Sequence, residues 1–125
     1  MILSKAIENF DSERSNSVTL ERKIEWISQL DYKVSSEYLE NRGGEKFSGY
    51  AVNTPLETVL KVPDEYGEIY SLYMNMKLDY MNGEIGRLNN STIIFNRMYK
   101  ELGDHINRKN AVLRKIPIKA GDLCV

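Results

Sequence analysis

Two side chains in this sequence are of the kinds that carry proton transfer and nucleophilic attack, His105 and Cys124. An imidazole titrates near neutrality and a thiolate attacks carbonyls, so the pair would matter if the fold brought them together on rigid elements. His105 follows Gly103-Asp104 near a predicted helix end. The helix dipole favours a cation there, which makes it a polar helix-end residue rather than a catalytic base. Cys124 lies beside the C-terminal Val125, where rigid placement is not expected.

One histidine and one cysteine are too few for a His/Cys metal site, and no HExxH, GxSxG, Walker loop, EF-hand loop or CxxC occurs. The remaining carboxylates of note, Asp31 and the Asp64-Glu65 pair, read as caps or solvated surface. The expectation is therefore a protein that is not an enzyme, with no catalytic, cofactor-binding or metal residue.

The chemistry left is association. Residues 108–119 contain five basic and no acidic side chains, and apolar residues flank the basic pair in Val112-Leu113-Arg114-Lys115-Ile116-Pro117-Ile118. Proline stops a helix there, so residues 111–125 are predicted to form an extended arm. The arm either adds a strand to a partner's sheet edge through Arg114, Lys115, Ile116 and Ile118, or frays as a tail.

Upstream, Met74, Leu78, Met81, Ile85, Leu88, Thr92, Phe95, Tyr99, Leu102 and Ile106 follow one another at alternating steps of four and three, an unbroken heptad pattern. Its later part, Ile85, Leu88, Phe95, Tyr99 and Leu102, is the predicted self-association seam.

The pattern keeps its phase through Asn82-Gly83-Glu84-Ile85-Gly86, which a hairpin turn would have no reason to do. The spacing thus predicts one helix over about 65–108, roughly 65 Å long at 1.5 Å per residue. Gly83 and Gly86 would mark a kink or a point where another backbone approaches. Val62-Pro63-Asp64-Glu65 supplies the start signal. Tyr66, Tyr73 and Tyr80 add a second stripe to the first half, which should sit centrally in the core, whereas the second half is amphipathic and needs a lid. That lid is either the N-terminal helices or a neighbouring copy.

Leu3, Ala6, Ile7 and Phe10 lie on one face of a short first helix, and the polar stretch 11–17 reads as a loop. Thr19 is placed as the N-cap of a second helix over about 20–40, carrying Leu20, Ile24, Ile27, Leu30, Val34 and Tyr38. Trp26 either widens this stripe or covers a neighbour. Residues 41–61 are predicted to be an ordered loop, with a brief strand at 46–52 and a helical turn at the capping box Thr54-Pro55-Leu56-Glu57.

A chain of 125 residues suits one domain, and its apolar and charged fractions of 42% and 28% are those of a globular fold. Residues 1–110 are expected to form a helical bundle, all-α, carrying the 111–125 arm. A formal net charge of −1 provides no field to hold polyphosphate, so nucleic acid is not the expected main partner. A single cysteine fits a reducing, cytoplasmic compartment. No stretch approaches the roughly 18 apolar residues of a membrane span, and the N-terminal residues lack the apolar run of a signal peptide.

Several segments resemble a known family. They are Lys23-Ile24-Glu25-Trp26-Ile27-Ser28-Gln29-Leu30-Asp31, Val62-Pro63-Asp64-Glu65-Tyr66, and Asp79-Tyr80-Met81-Asn82-Gly83-Glu84-Ile85-Gly86-Arg87-Leu88-Asn89-Asn90-Ser91 with Phe95-Asn96 after it. They are similar to head-tail connector (adaptor) proteins of long-tailed phages and prophages of Gram-positive bacteria. The likeness spans about 20–108. It departs from the family at Tyr32, where glycine is expected after Asp31, and over 111–125.

The resemblance implies a helical subunit of a ring, often twelvefold, in the virion neck, assembled in the host cytoplasm. Its implied partners are further copies of itself, the portal protein, and a head-closure or tail-completion protein, with DNA only passing through the channel. No cofactor is implied. The alternative is a non-viral helical adaptor or regulator acting as a homodimer, although the mixed, aromatic seam is irregular for a two-stranded coil.

Overall fold

A computed structural model describes residues 1–40 and 46–114, with side chains as far as Lys109. Helix α1 spans Leu3–Glu13 and buries Leu3, Ala6, Ile7 and Phe10, the four residues placed on one face by their spacing. It runs three residues into the stretch expected as a loop. Helix α2, Leu20–Val34, starts where Thr19 accepts a hydrogen bond from the Arg22 backbone N–H at 3.2 Å, and a π-helical turn over Ser35–Leu39 carries it on. Trp26 is 5% exposed and belongs to the core.

The single long helix is not formed; two helices replace it. After a 3-10 turn at Asp64–Tyr66, α3 spans Ile69–Met81 and α4 spans Ile85–Arg114. Gly83 between them has φ +70°, the left-handed conformation that closes helices. The Gly83 N–H donates to the Tyr80 carbonyl at 3.1 Å and the Glu84 N–H to the Asp79 carbonyl at 3.0 Å, the paired bonds of a Schellman cap.

The chain then doubles back, so Tyr73 meets Phe95 at 5.4 Å between ring centres and Tyr66 meets His105 at 5.0 Å. Continuity of the heptad phase misled because the positions carrying it across the turn, Met81 and Ile85, are 48% and 71% exposed. The register match there buries little and constrains nothing.

These four helices, among the described residues, pack around one core in which Phe10, Ile24, Ile27, Leu30, Ile69, Tyr70, Met74 and Leu102 are essentially inaccessible. The fold is therefore the all-α bundle that the periodicity predicted. The π-helical turn at Ser35–Leu39 meets the later part of α4 where Gly103 lets Tyr38 approach: a Cβ at Gly103 would lie 2.5 Å from the tyrosine hydroxyl. Residues 46–62 form no strand and no helical turn at 54–57. Thr54 Oγ1 instead accepts from the Ala51 N–H at 2.8 Å, closing a local loop. The one β-type contact among the described residues is an isolated bridge between Ile2 and Val59.

Candidate assembly surface

The polar side chains inside the bundle hold the fold together. Asp31, expected at the surface, is fully buried on α2. Its Oδ1 accepts from the Tyr70 hydroxyl at 2.6 Å, and its Oδ2 accepts from the Tyr50 hydroxyl at 2.5 Å and the Lys61 backbone N–H at 3.1 Å. The Tyr70 hydroxyl in turn accepts from the Val62 N–H at 3.0 Å. One carboxylate thereby fastens the 46–62 segment onto α2 and α3. Loss of hydration raises its pKa above the ordinary aspartate value, and the two tyrosine hydroxyls and the Lys61 N–H only partly offset this. The same burial, with the carboxylate alongside, raises both tyrosine pKa values.

A second ionic knot pins the hairpin. Arg14, just past α1, reaches Asp79 of α3 at 2.6 Å, and Asp79 Oδ2 accepts from the Ser91 hydroxyl of α4 at 2.5 Å. The 79–91 segment quoted above for its resemblance is thus a turn whose two ends are bonded to each other. Lys23, also within the quoted segments, is buried and paired with Asp11 at 2.7 Å.

Of the chemistry-bearing candidates, His105 and Glu65 are brought side by side. His105 Nε2 lies 3.6 Å from Glu65 and its ring packs on Tyr66. Asp64 is exposed and pairs with the terminal amine of Met1. Among the described residues no three His, Cys, Asp or Glu side chains gather as a metal site would require. Cys124 lies outside the described residues.

The predicted seam divides. Phe95 and Leu102 are 4% and 0% exposed within the core, and Tyr99, half-buried, donates its hydroxyl to Glu37 and stacks on Phe95. The lid over this half of the seam is therefore α3 and the π-helical turn after α2, both of the same chain. Leu88 is half-buried, and only Ile85 stands open. Of the predicted arm, residues 111–114 are helical rather than extended, with the α4 backbone continuing to Arg114. Lys115, Ile116 and Ile118 lie outside the described residues.

Large apolar side chains stand exposed at several places, Ile2, Leu56 and Val59 among them, and two groups lie on the α3–α4 hairpin. Tyr80, Met81 and Ile85 are 74%, 48% and 71% exposed at the hairpin tip, and Ile93 and Ile94 are 58% and 48% exposed on the outer side of α4. The molecule also has an open cleft of about 620 Å³ between α2 and the 48–52 segment. Ile24, Tyr32, Tyr50 and Val52 line it with Glu21 and Glu25.

Of these features, the sequence pointed only to Ile85, as a member of the predicted seam. The cleft needs an irregular segment laid against α2, and that segment is held by Asp31 and by the Ser28 hydroxyl, which accepts from the Tyr50 N–H at 2.9 Å. Ile93 and Ile94 stand outside the heptad row, so the spacing does not mark them.

No protein-family model matches the chain, and neither a curated protein nor a solved structure matches it. No helix among the described residues is long and apolar enough to cross a membrane.

Proposed function

We propose that this protein is a structural subunit of a phage neck, a ring-forming head-tail connector that joins the portal to head-closure or tail-completion proteins. The observation that carries the proposal is the uncovered apolar surface of the α3–α4 hairpin, at Tyr80, Met81, Ile85, Ile93 and Ile94. Five large apolar side chains exposed on one hairpin suit a surface meant for other proteins.

The resemblance in 79–91 falls on this tip. In a connector the work is geometric, so a rigid hairpin held by the Arg14–Asp79–Ser91 knot presents a fixed surface to its neighbours. A closed ring requires two different patches on each subunit, and the hairpin and the α2 cleft supply two. The homodimeric adaptor is less well supported, because most of the continuous seam a two-stranded coil would use lies inside the fold.

Immunogold labelling of virions made by the host cell tests the proposal. Label at the junction of head and tail is the expected result. A protein absent from purified virions is not a neck subunit.

A further inference from the structure

Helix α4 carries a second heptad row, on the side away from the core. Gly86, Asn90, Ile93, Arg97 and Lys100 succeed one another at steps of four, three, four and three, and all five are exposed. Over 85–100 the charged side chains of α4 are Arg87, Arg97 and Lys100, with no acidic residue. Gly86 has nothing within 4 Å of where a Cβ would stand. No packing within the chain requires glycine there, and an open glycine on an exposed helix row is where a foreign backbone can come close.

The cleft beside α2 has the opposite character. Its apolar floor is Ile24, Tyr32 and Val52, and its acidic edge is Glu21 and Glu25, one helical turn apart. Tyr32 and Val52 are 52% and 61% exposed. Glu21, Glu25, Arg97 and Lys100 form no ion pair with any described residue.

We infer that the outer row of α4 seats in the α2 cleft of a second copy of this chain, head to tail, with Ile93 on the apolar floor and Arg97 and Lys100 against Glu21 and Glu25. An amphipathic helix laid into a groove is a common recognition mode, and opposite charge fixes which way it lies. The interface is heterologous: each copy offers one row and one cleft, so the contact repeats from copy to copy and closes if the rotation permits. The inference deepens the proposed function by naming the two patches that a ring would join.

The test is disulfide trapping of the full chain. In a Cys124→Ser background, Val52→Cys and Ile93→Cys are introduced singly and together, at two exposed sites where folding should survive, with circular dichroism as the check. Under mild oxidation at high protein concentration each single variant stops at a dimer, because one thiol can make one bond. The double variant is expected to give a ladder of dimers, trimers and larger species on non-reducing electrophoresis.

Adding Arg97→Glu with Lys100→Glu should reduce the ladder about tenfold, and Glu21→Lys with Glu25→Lys in the same chain should restore it, as complementary charges set partner choice. A double variant that gives no species larger than the single variants, or only a faster-running monomer linked within one chain, overturns the interface. The two levels of the account fail separately. A neck subunit that assembles through other surfaces would label virions and give no ladder, whereas a self-associating protein unrelated to virions would give the ladder and no label.

Discussion

Replacing Asp31 by alanine removes the acceptor for three donors at once, and the consequence can be worked from their surroundings. Tyr70 is 1% exposed, and the Lys61 N–H is held at 3.1 Å from the carboxylate. The Tyr70 hydroxyl does not readily find water when the acceptor is gone, and an orphaned buried donor costs about 1–3 kcal/mol, whereas Lys61 lies at the exposed surface and its bond adds less. Tyr50 is half-buried and can turn outward, so its bond adds little to the loss. Relief from holding a carboxylate out of water works in the opposite direction. The balance is a loss of about 2 kcal/mol, which for a domain of this size lowers the melting temperature by roughly 7 °C.

Urea unfolding followed by circular dichroism measures the loss, and amide exchange locates it. Protection should fall at Tyr50, Lys61 and Val62 while α3 and α4 keep theirs. An Asp31→Ala protein as stable as the parent to within 0.5 kcal/mol would refute the role assigned to this carboxylate.

The raised pKa of Asp31 gives a pH dependence with a definite sign. The folded state holds the proton more tightly than the unfolded chain, so the contribution of Asp31 to stability is fullest below about pH 3.8 and falls as pH rises through its folded value. The stability of the parent relative to Asp31→Asn should therefore decline with rising pH over that window; a rise would reverse the assignment. Gly83→Ala forces a Cβ into the left-handed region at φ +70° and should cost about 1–2 kcal/mol in urea unfolding, whereas a neutral result would deny the Schellman turn. Ile85→Asp, at a position 71% exposed in the first turn of α4, should leave stability within about 0.5 kcal/mol and lower the self-associated mass seen by light scattering. Unfolding of this variant would mean that Ile85 is not at the surface.

The parts of the fold legible in the sequence were those that one helix records by itself. The Leu3, Ala6, Ile7 and Phe10 face of α1 and the Thr19 cap with its stripe of buried residues need no knowledge of neighbours. The hairpin was harder, because its two helices face each other with matching stripes, and matching stripes joined by a short turn can read as one. Asn82-Gly83 was the local signal, and it outweighs phase because glycine closes a helix at a positive φ that other residues resist.

Asp31 carried no local signal at all. Its tyrosine partners lie 19 and 39 residues away, so its burial is a property of the packed molecule. The seam was half legible: spacing identified a buried row in α4 but could not say that α3 and the π-helical turn of the same chain cover it. The outward row, with Ile93 among polar residues, looks from sequence like an ordinary solvated face.

Assembly is the central claim, and the mass of the purified protein by light scattering, alone and then mixed with portal protein, tests it most directly. The account predicts a large closed oligomer, or a monomer that joins a large complex once portal is present. A protein that remains monomeric or dimeric and indifferent to portal would contradict it.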